Sequence, residues 1–254
     1  MKDQELENLL IRLEKWRAER GIDYEMQREG LLGNVMEECT EFIRAASTYE
    51  RIDALCDIAV FVMNSQKDGF MSGIMTPIIP DNSVEVTYAY LDRISKAKGP
   101  DTLLKNYTKM LLERVATYIA GDLRWENLNK EDYSGNIQVD ETILRVMLNA
   151  VAVGLKLYTS KSLYECLDET LKEIESRTGR YSEEKKKFVK DKGFYTREQL
   201  LEYLQKTYEF NGKWVIQEKD EWFICKKELD SDENEYKFKK WYKADYGVYH
   251  EYQR

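Results

Sequence analysis

Histidine is almost absent from this sequence: His250, four residues before the last one, is the only example. Histidine is the usual acid-base group near neutral pH and a frequent ligand of zinc and iron. Its scarcity argues against zinc hydrolases, against di-iron helical proteins built on Glu-x-x-His pairs, and against Ser-His-Asp hydrolases. We therefore expect carboxylates to carry any chemistry.

Cysteine and long apolar runs are also scarce. The four cysteines lie far apart and form no Cys-x-x-Cys motif, so the sequence indicates neither a zinc site nor a disulfide framework. No apolar run approaches the roughly 18 residues that span a bilayer, and the charged first ten residues do not resemble a signal peptide. We expect a cytoplasmic protein with no membrane partner.

Positive charge is in deficit. The 39 Lys and Arg residues do not balance 47 Asp and Glu residues, and the net charge is -8. Binding to duplex nucleic acid needs a basic face, so we expect no such partner. The sequence also lacks the Gly-x-x-x-x-Gly-Lys-Ser/Thr phosphate loop. A small anion that is carried by a metal ion remains compatible with this composition.

Helix breakers are few, with three prolines and thirteen glycines in 254 residues. Apolar residues recur at helical spacing and predict helices over about residues 3–19, 24–48, 50–66, 84–97, 101–120, 140–158 and 161–177. The segments 67–83 and 121–139 are expected to be loops. The predicted fold is all-α, an antiparallel helical bundle.

The pattern changes after residue 179, where lysine and tyrosine become frequent. A short helix is predicted to begin at Thr196, with Gln199 completing a capping box. Asn211-Gly212 predicts a hairpin turn, and residues 221–225 could supply a third strand. We thus expect a small β-hairpin appendage near the C-terminus. The predicted domains are a helical domain over 1–190 with catalytic helices at about 24–66, a small α/β appendage over 191–235, and an aromatic, basic tail over 236–254.

Two acidic stripes on consecutive predicted helices are the features most suggestive of chemistry. At about 100° per residue, three acids of the first helix share an arc of about 100°, and four polar residues of the second share about 60°. The stripes consist of Glu37, Glu38 and Glu41, and of Glu50, Asp53, Asp57 and Asn64. Either stripe alone is typical of a solvated helix face. Two stripes on helices with almost no loop between them can face each other and bind Mg²⁺.

The order of these motifs resembles the MazG-like, all-α NTP pyrophosphohydrolase superfamily, which includes the dimeric dUTPases. An early Trp-containing helix is followed by Glu-Glu-x-x-Glu and then by Asp57 before an apolar run. The match covers roughly 5–65 and 165–190 with the tail, and the segments 53–57, 173–179, 188–190 and 241–246 look like phage and bacterial members. The family's second motif is usually Glu-x-x-Asp, but Ala54 stands three residues before Asp57. Either Glu50 with Asp53, or Asp53 with Asp57, can supply the second acidic pair, and we prefer the latter.

The resemblance implies an enzyme that hydrolyses a (d)NTP to a (d)NMP and pyrophosphate with Mg²⁺, or Mn²⁺ in its place. It also implies a homodimer or a higher homo-oligomer. The candidate catalytic residues are Glu37, Glu38 and Glu41, with Glu37 as general base or outer-shell carboxylate. The candidate metal ligands are Glu38, Glu41, Asp53 and Asp57. The candidate substrate contacts are Asn64, Arg177, Tyr181, Lys187 and Lys190.

Alternatives remain open for parts of this interpretation. The basic segment 177–190 could be a loop that folds over a triphosphate or a surface patch that balances the acidic helices. Asn64 could bind sugar or base, or it could make a packing contact. The protein could also be a catalytically silent helical module that binds a nucleotide or another protein.

Overall fold

A computed structural model describes residues 3–66, 82–96, 101–127, 136–182, 184, 187–210, 212–228 and 235–249. The predicted loop over 67–83 lies almost wholly outside these residues, and His250 also lies outside them. The chain divides into two compact units. The first comprises Met1–Ala18, Ile22–Thr170 and Asp245–Arg254, and the second comprises Glu19–Gly21 and Leu171–Ala244.

Most of the described residues are helical, which confirms the prediction of a mainly helical fold. Within the described residues there are eight: α1 (Asp3–Glu19), α2 (Tyr24–Arg44), α3 (Thr48–Asn64), α4 (Ser83–Lys96), α5 (Asp101–Asn127), α6 (Asn136–Leu155), α7 (Leu163–Ser176) and α8 (Arg197–Thr207). None of the helices in this part of the chain combines the length and the apolar character needed to cross a membrane.

Two helices extend into the segment 121–139, which was predicted to be a loop. α5 continues to Asn127 and α6 already begins at Asn136, so the loop prediction is wrong at both ends. The segment contains no proline, and a single glycine in a helix costs only about 1 kcal/mol relative to alanine. A long helix therefore tolerates Gly121.

The third helix lies at the centre of the first unit. It is buried on nearly all sides, with twelve buried residues, and packs chiefly against α2 and α6. A helix that is apolar around most of its circumference is stable only when other elements cover it. α2 shows the opposite behaviour, because it buries a single stripe formed by Leu31, Val35, Cys39 and Phe42. Its other faces are thus free to carry charge.

The second unit contains the strands β1 (Gly179–Ser182), β2 (Lys187–Lys190), β3 (Gly193–Phe194), β4 (Trp214–Lys219), β5 (Trp222–Lys227) and β6 (Tyr236–Lys240). β1 and β2 pair with each other, and the other strands form a sheet in the order β3-β6-β5-β4. An apolar and largely aromatic cluster lies under this sheet and includes Leu200 and Leu204 of α8. The sheet joins residues on both sides of the predicted boundary at 235/236.

Asn211 of the predicted hairpin turn lies outside the described residues, but residues 208–210 before it form no strand, so the strand pairing predicted there is wrong. β4 begins only at Trp214, and the hairpin turns at Asp220-Glu221, since Lys219 pairs with Trp222. Asp220 has φ = +52°, and aspartate is among the few residues that tolerate this region. Gly212 is needed for a different reason, because a Cβ there would lie 2.3 Å from the ring of Phe210.

Other predictions for this region are confirmed. The predicted strand over 221–225 is present as β5. α8 is capped by Thr196, whose hydroxyl accepts a hydrogen bond from the Gln199 amide at 3.3 Å. The Gln199 side chain accepts from the Tyr195 amide rather than from Thr196, so the capping box is displaced by one residue.

Candidate metal centre on two packed helices

The acidic residues of α2 and α3 are neighbours because a connection of three residues, 45–47, joins the two helices. A capping box fixes the start of α3: the Ser47 hydroxyl accepts from the Glu50 amide, and the Glu50 carboxylate accepts from the Ser47 amide, both at 3.1 Å. The Ser-x-x-Glu pattern of residues 47–50 is the sequence signal for this helix start. It places the first turn of α3 directly after α2.

This capping box bears on which acid completes the second motif. Besides the Ser47 amide, the Glu50 carboxylate accepts from the amide of Ala46 at 2.6 Å. Its charge therefore already stabilises the positive end of α3. Which acids complete the second motif stays a prediction, and Asp53 with Asp57 remains the preferred pair.

Glu38 lies at the edge between the buried stripe and the acidic face of α2. It is half-buried, as are Asp53 and Asp57 on α3, whereas Glu37 and Glu41 are exposed. One side of Glu38 therefore faces apolar surroundings while the other faces carboxylates.

The electrostatics of Glu38 show that the two stripes converge. Burial, which has the largest effect, and the charges of four neighbouring carboxylates together raise its pKa from the ordinary 4.5 to about 8. In order of decreasing effect these are Asp57, Glu41, Asp53 and Glu37. Every acid that was predicted as a catalytic residue or metal ligand thus acts on this one carboxyl group.

One oxygen of Glu38, Oε2, is buried and has no hydrogen-bond partner. A buried polar atom without a partner costs about 1–3 kcal/mol, and more when it is charged. A cation among the surrounding carboxylates would remove this cost. Oxygen donors of this kind suit a hard divalent ion such as Mg²⁺, so the residues present fit the metal that the resemblance implies.

The fit concerns donor chemistry only. Among the described residues, no three His, Cys, Asp or Glu side chains already stand in an arrangement that could hold a metal ion.

Asn64 makes the packing contact that the sequence left open. Its side chain is buried, with Oδ1 accepting from Arg17 at 2.7 Å and Nδ2 donating to Gln27 at 3.1 Å. Arg17 also donates to the Asn64 carbonyl at 3.0 Å. The amide thereby connects three helices, and a contact with sugar or base stays a prediction.

The predicted basic substrate contacts belong to the second unit, while the carboxylates belong to the first. Arg177 pairs with Glu173 and donates to the hydroxyl of Tyr195. Burial lowers the pKa of Lys190, as do the charges of Arg177 and Arg20. A concentration of three cations suits an anion, but their role toward a triphosphate stays a prediction.

Two further predicted contacts are placed only by their backbone. Tyr181 lies in β1 and Lys187 in β2, so the segment expected to be a loop forms a two-stranded sheet over 179–182 and 187–190. The side chains of these two residues fall outside the described part of the structure.

Sequence reasoning missed one residue at the acidic site. The hydroxyl of Tyr246 donates a hydrogen bond of 2.8 Å to Oδ1 of Asp53, although 193 positions separate the two residues. Only the resemblance of the segment 241–246 drew attention to this part of the chain, and it indicated no contact.

Comparison of the chain with protein-family models, with curated proteins and with solved structures finds no match.

Proposed function

We propose that this protein is a Mg²⁺-dependent nucleoside triphosphate pyrophosphohydrolase, which converts a (d)NTP and water into a (d)NMP and pyrophosphate. The observation that carries the proposal is the buried, unpartnered oxygen of Glu38 among carboxylates from two packed helices. The resemblance of the Glu-Glu-x-x-Glu and Asp57 motifs supports the same reaction.

The acids divide into two groups by their surroundings. Glu38, Asp53 and Asp57 are half-buried on facing helices and, with Glu41, would hold the metal. When bound, Mg²⁺ supplies positive charge that offsets the triphosphate and polarises the phosphate oxygens. Without such a cation, a triphosphate would be repelled by this group of acids.

Glu37 is suited to a different task because it is exposed beside Glu38. We assign it to orienting a water molecule and accepting its proton. The water oxygen forms a new bond to the α-phosphorus, and the bond from the α-phosphorus to the oxygen that bridges to the β-phosphorus breaks. Pyrophosphate leaves with that bridging oxygen, so (d)NMP and pyrophosphate are the products.

We also propose that the protein is a homodimer or a higher homo-oligomer that pairs through α2. Leu32, Met36 and Ile43 of this helix are 42%, 45% and 48% exposed. At about 100° per residue they fall within an arc of about 40°. By the same arithmetic the centre of this exposed stripe lies about 170° around α2 from the centre of the acids, so a partner bound to it would leave the carboxylates accessible to substrate.

The proposal also covers the arrangement of the helices and the cellular location. The short connection from α2 to α3 supports an antiparallel arrangement, and we propose that the helices of the first unit form an antiparallel bundle. We place the protein in the cytoplasm, because nucleoside triphosphates are available to it there.

The decisive experiment incubates the purified chain with each dNTP and NTP in the presence of Mg²⁺ and separates pyrophosphate from orthophosphate. We expect pyrophosphate and a monophosphate in equal amounts, with no product in EDTA. Glu29→Gln is the matched control for substitutions in the acidic face, since it removes an exposed acid from the same helix, more than two turns away. Triphosphate binding without pyrophosphate release would instead indicate a silent nucleotide-binding module.

A further inference from the structure

The segment 245–249 brings a buried tyrosine to the acidic site. The side chain of Tyr246 is 1% exposed, its ring lies 5.1 Å from that of Tyr49, and its hydroxyl donates to Oδ1 of Asp53 at 2.8 Å. A charged carboxylate is a stronger acceptor than a neutral oxygen, so this bond orients the side chain of Asp53.

Contacts outside the phenol set the position of this segment. The amide of Asp245 donates to Glu169 at 2.9 Å, the hydroxyl of Thr159 donates to the carbonyl of Tyr246, and the amide of Tyr249 donates to the carbonyl of Tyr158 at 3.1 Å. Loss of the Tyr246 hydroxyl alone leaves all three contacts intact. The segment is therefore held in place independently of its bond to Asp53.

The direction of the hydrogen bond follows from a count of protons. The hydroxyl of Thr170 lies 3.0 Å from the Tyr246 hydroxyl and 3.0 Å from the carbonyl of Cys166. Each hydroxyl has one proton, and an ionised Asp53 can only accept. The Tyr246 proton therefore goes to Asp53, and the single Thr170 proton goes either to the carbonyl of Cys166 or to the Tyr246 oxygen.

We propose that Tyr246 is a positioning residue of the metal centre, whose hydroxyl fixes the carboxylate of Asp53 for binding a divalent cation. The role in metal binding rests on the proposed function, whereas the hydrogen bond from Tyr246 to Asp53 is seen in the structure itself. A carboxylate has about four lone-pair sites, so the hydrogen bond from Tyr246 leaves other lone pairs that can bind a cation. Residues that orient metal ligands in this way typically change metal affinity or activity by about 10–100-fold when they are removed.

The test compares Tyr246→Phe with Tyr249→Phe in the full chain. Tyr249 is 55% exposed in the same segment, so the control removes the same group from the protein surface. Calorimetric titration with Mn²⁺ in the absence of nucleotide measures affinity without relying on turnover. We expect Tyr246→Phe to weaken Mn²⁺ binding by about 10–100-fold, with Tyr249→Phe unchanged.

The outcomes separate this inference from the proposed function. Weaker Mn²⁺ binding by Tyr246→Phe, with an unchanged far-ultraviolet circular dichroism spectrum, supports the inference even if no triphosphate is hydrolysed. Wild-type Mn²⁺ affinity in Tyr246→Phe overturns it, even if the wild-type chain releases pyrophosphate. A lower melting temperature at unchanged affinity assigns the tyrosine to packing alone and also overturns it. If the wild-type chain binds no Mn²⁺, the inference falls together with the metal centre.

Discussion

Asp57 on α3 is the neighbouring charge that raises the pKa of Glu38 on α2 the most, and only burial has a larger effect. The two carboxyl groups therefore belong to one electrostatic unit although they lie on different helices. A group of like charges that is partly buried destabilises the fold unless a cation compensates it.

Neutralising either residue is expected to remove activity. Glu38→Gln and Asp57→Asn should each lower the rate of pyrophosphate release by at least about a hundredfold, because each removes a charged donor from a shared cation. Circular dichroism should show an unchanged helical content, and Glu29→Gln should retain the wild-type rate. A variant at either position that keeps a near-wild-type rate would remove that residue from the centre.

The metal-free protein is expected to lose stability as the pH rises. The pKa of Glu38 in the folded chain is about 8, above its ordinary 4.5, so between these values the folded state binds more protons than the unfolded state. The free energy of unfolding in EDTA should thus decrease from about pH 5 to pH 8. Glu38→Gln cannot lose a proton, so it should show a weaker decrease and equal or greater stability at pH 8.

Urea unfolding at pH 6 and pH 8.5, with EDTA present, measures both variants under matched conditions. The result to look for is the difference between the two proteins, because groups outside this cluster of carboxylates affect both equally. Parallel pH dependences for wild type and Glu38→Gln would contradict the role assigned to this carboxyl group.

Divalent cations should restore the stability that the metal-free protein loses at high pH. A cation that binds only the folded state raises the free energy of unfolding by about 2.7 kcal/mol at a hundred times its dissociation constant. We expect Mg²⁺ or Mn²⁺ to raise the melting temperature of the wild-type chain at pH 8, and to have little effect on Glu38→Gln. An equal shift in both proteins would indicate that the cation binds elsewhere.

Local sequence rules explain why the acidic site could be predicted in advance. Glu38, Glu41 and Asp57 follow from helical periodicity and from the short connection between their helices, which are properties of neighbouring residues. The contact of Asp53 with Tyr246 joins residues 193 positions apart. No periodicity or capping rule refers to such a pair, since only the folded chain brings the two residues together.

The β region shows the same distinction. The cap of α8 could be predicted because the Thr196 hydroxyl and the Gln199 amide are only three residues apart in the sequence. The dipeptide Asn211-Gly212 has an equally strong local preference for a hairpin turn, yet the chain turns at Asp220. The rings of Phe210 and Trp214 pack with their centroids 5.5 Å apart, and a Cβ on Gly212 would lie 2.3 Å from the Phe210 ring, so this glycine serves close packing.

The last prediction concerns self-association through the exposed stripe of Leu32, Met36 and Ile43. Three large apolar side chains that are 42–48% exposed within one narrow arc lose contact with water when a second copy covers them. We expect light scattering at micromolar concentration to give at least twice the 30.1 kDa of one chain. The double variant Leu32→Glu/Met36→Glu should dissociate to monomer, because a partner would have to bury two charges without compensation. Val86→Glu is the matched control, since Val86 is 67% exposed on α4 and should leave the assembly intact. A wild-type chain that is monomeric under these conditions, or a double variant that stays assembled, would show that α2 does not form the interface.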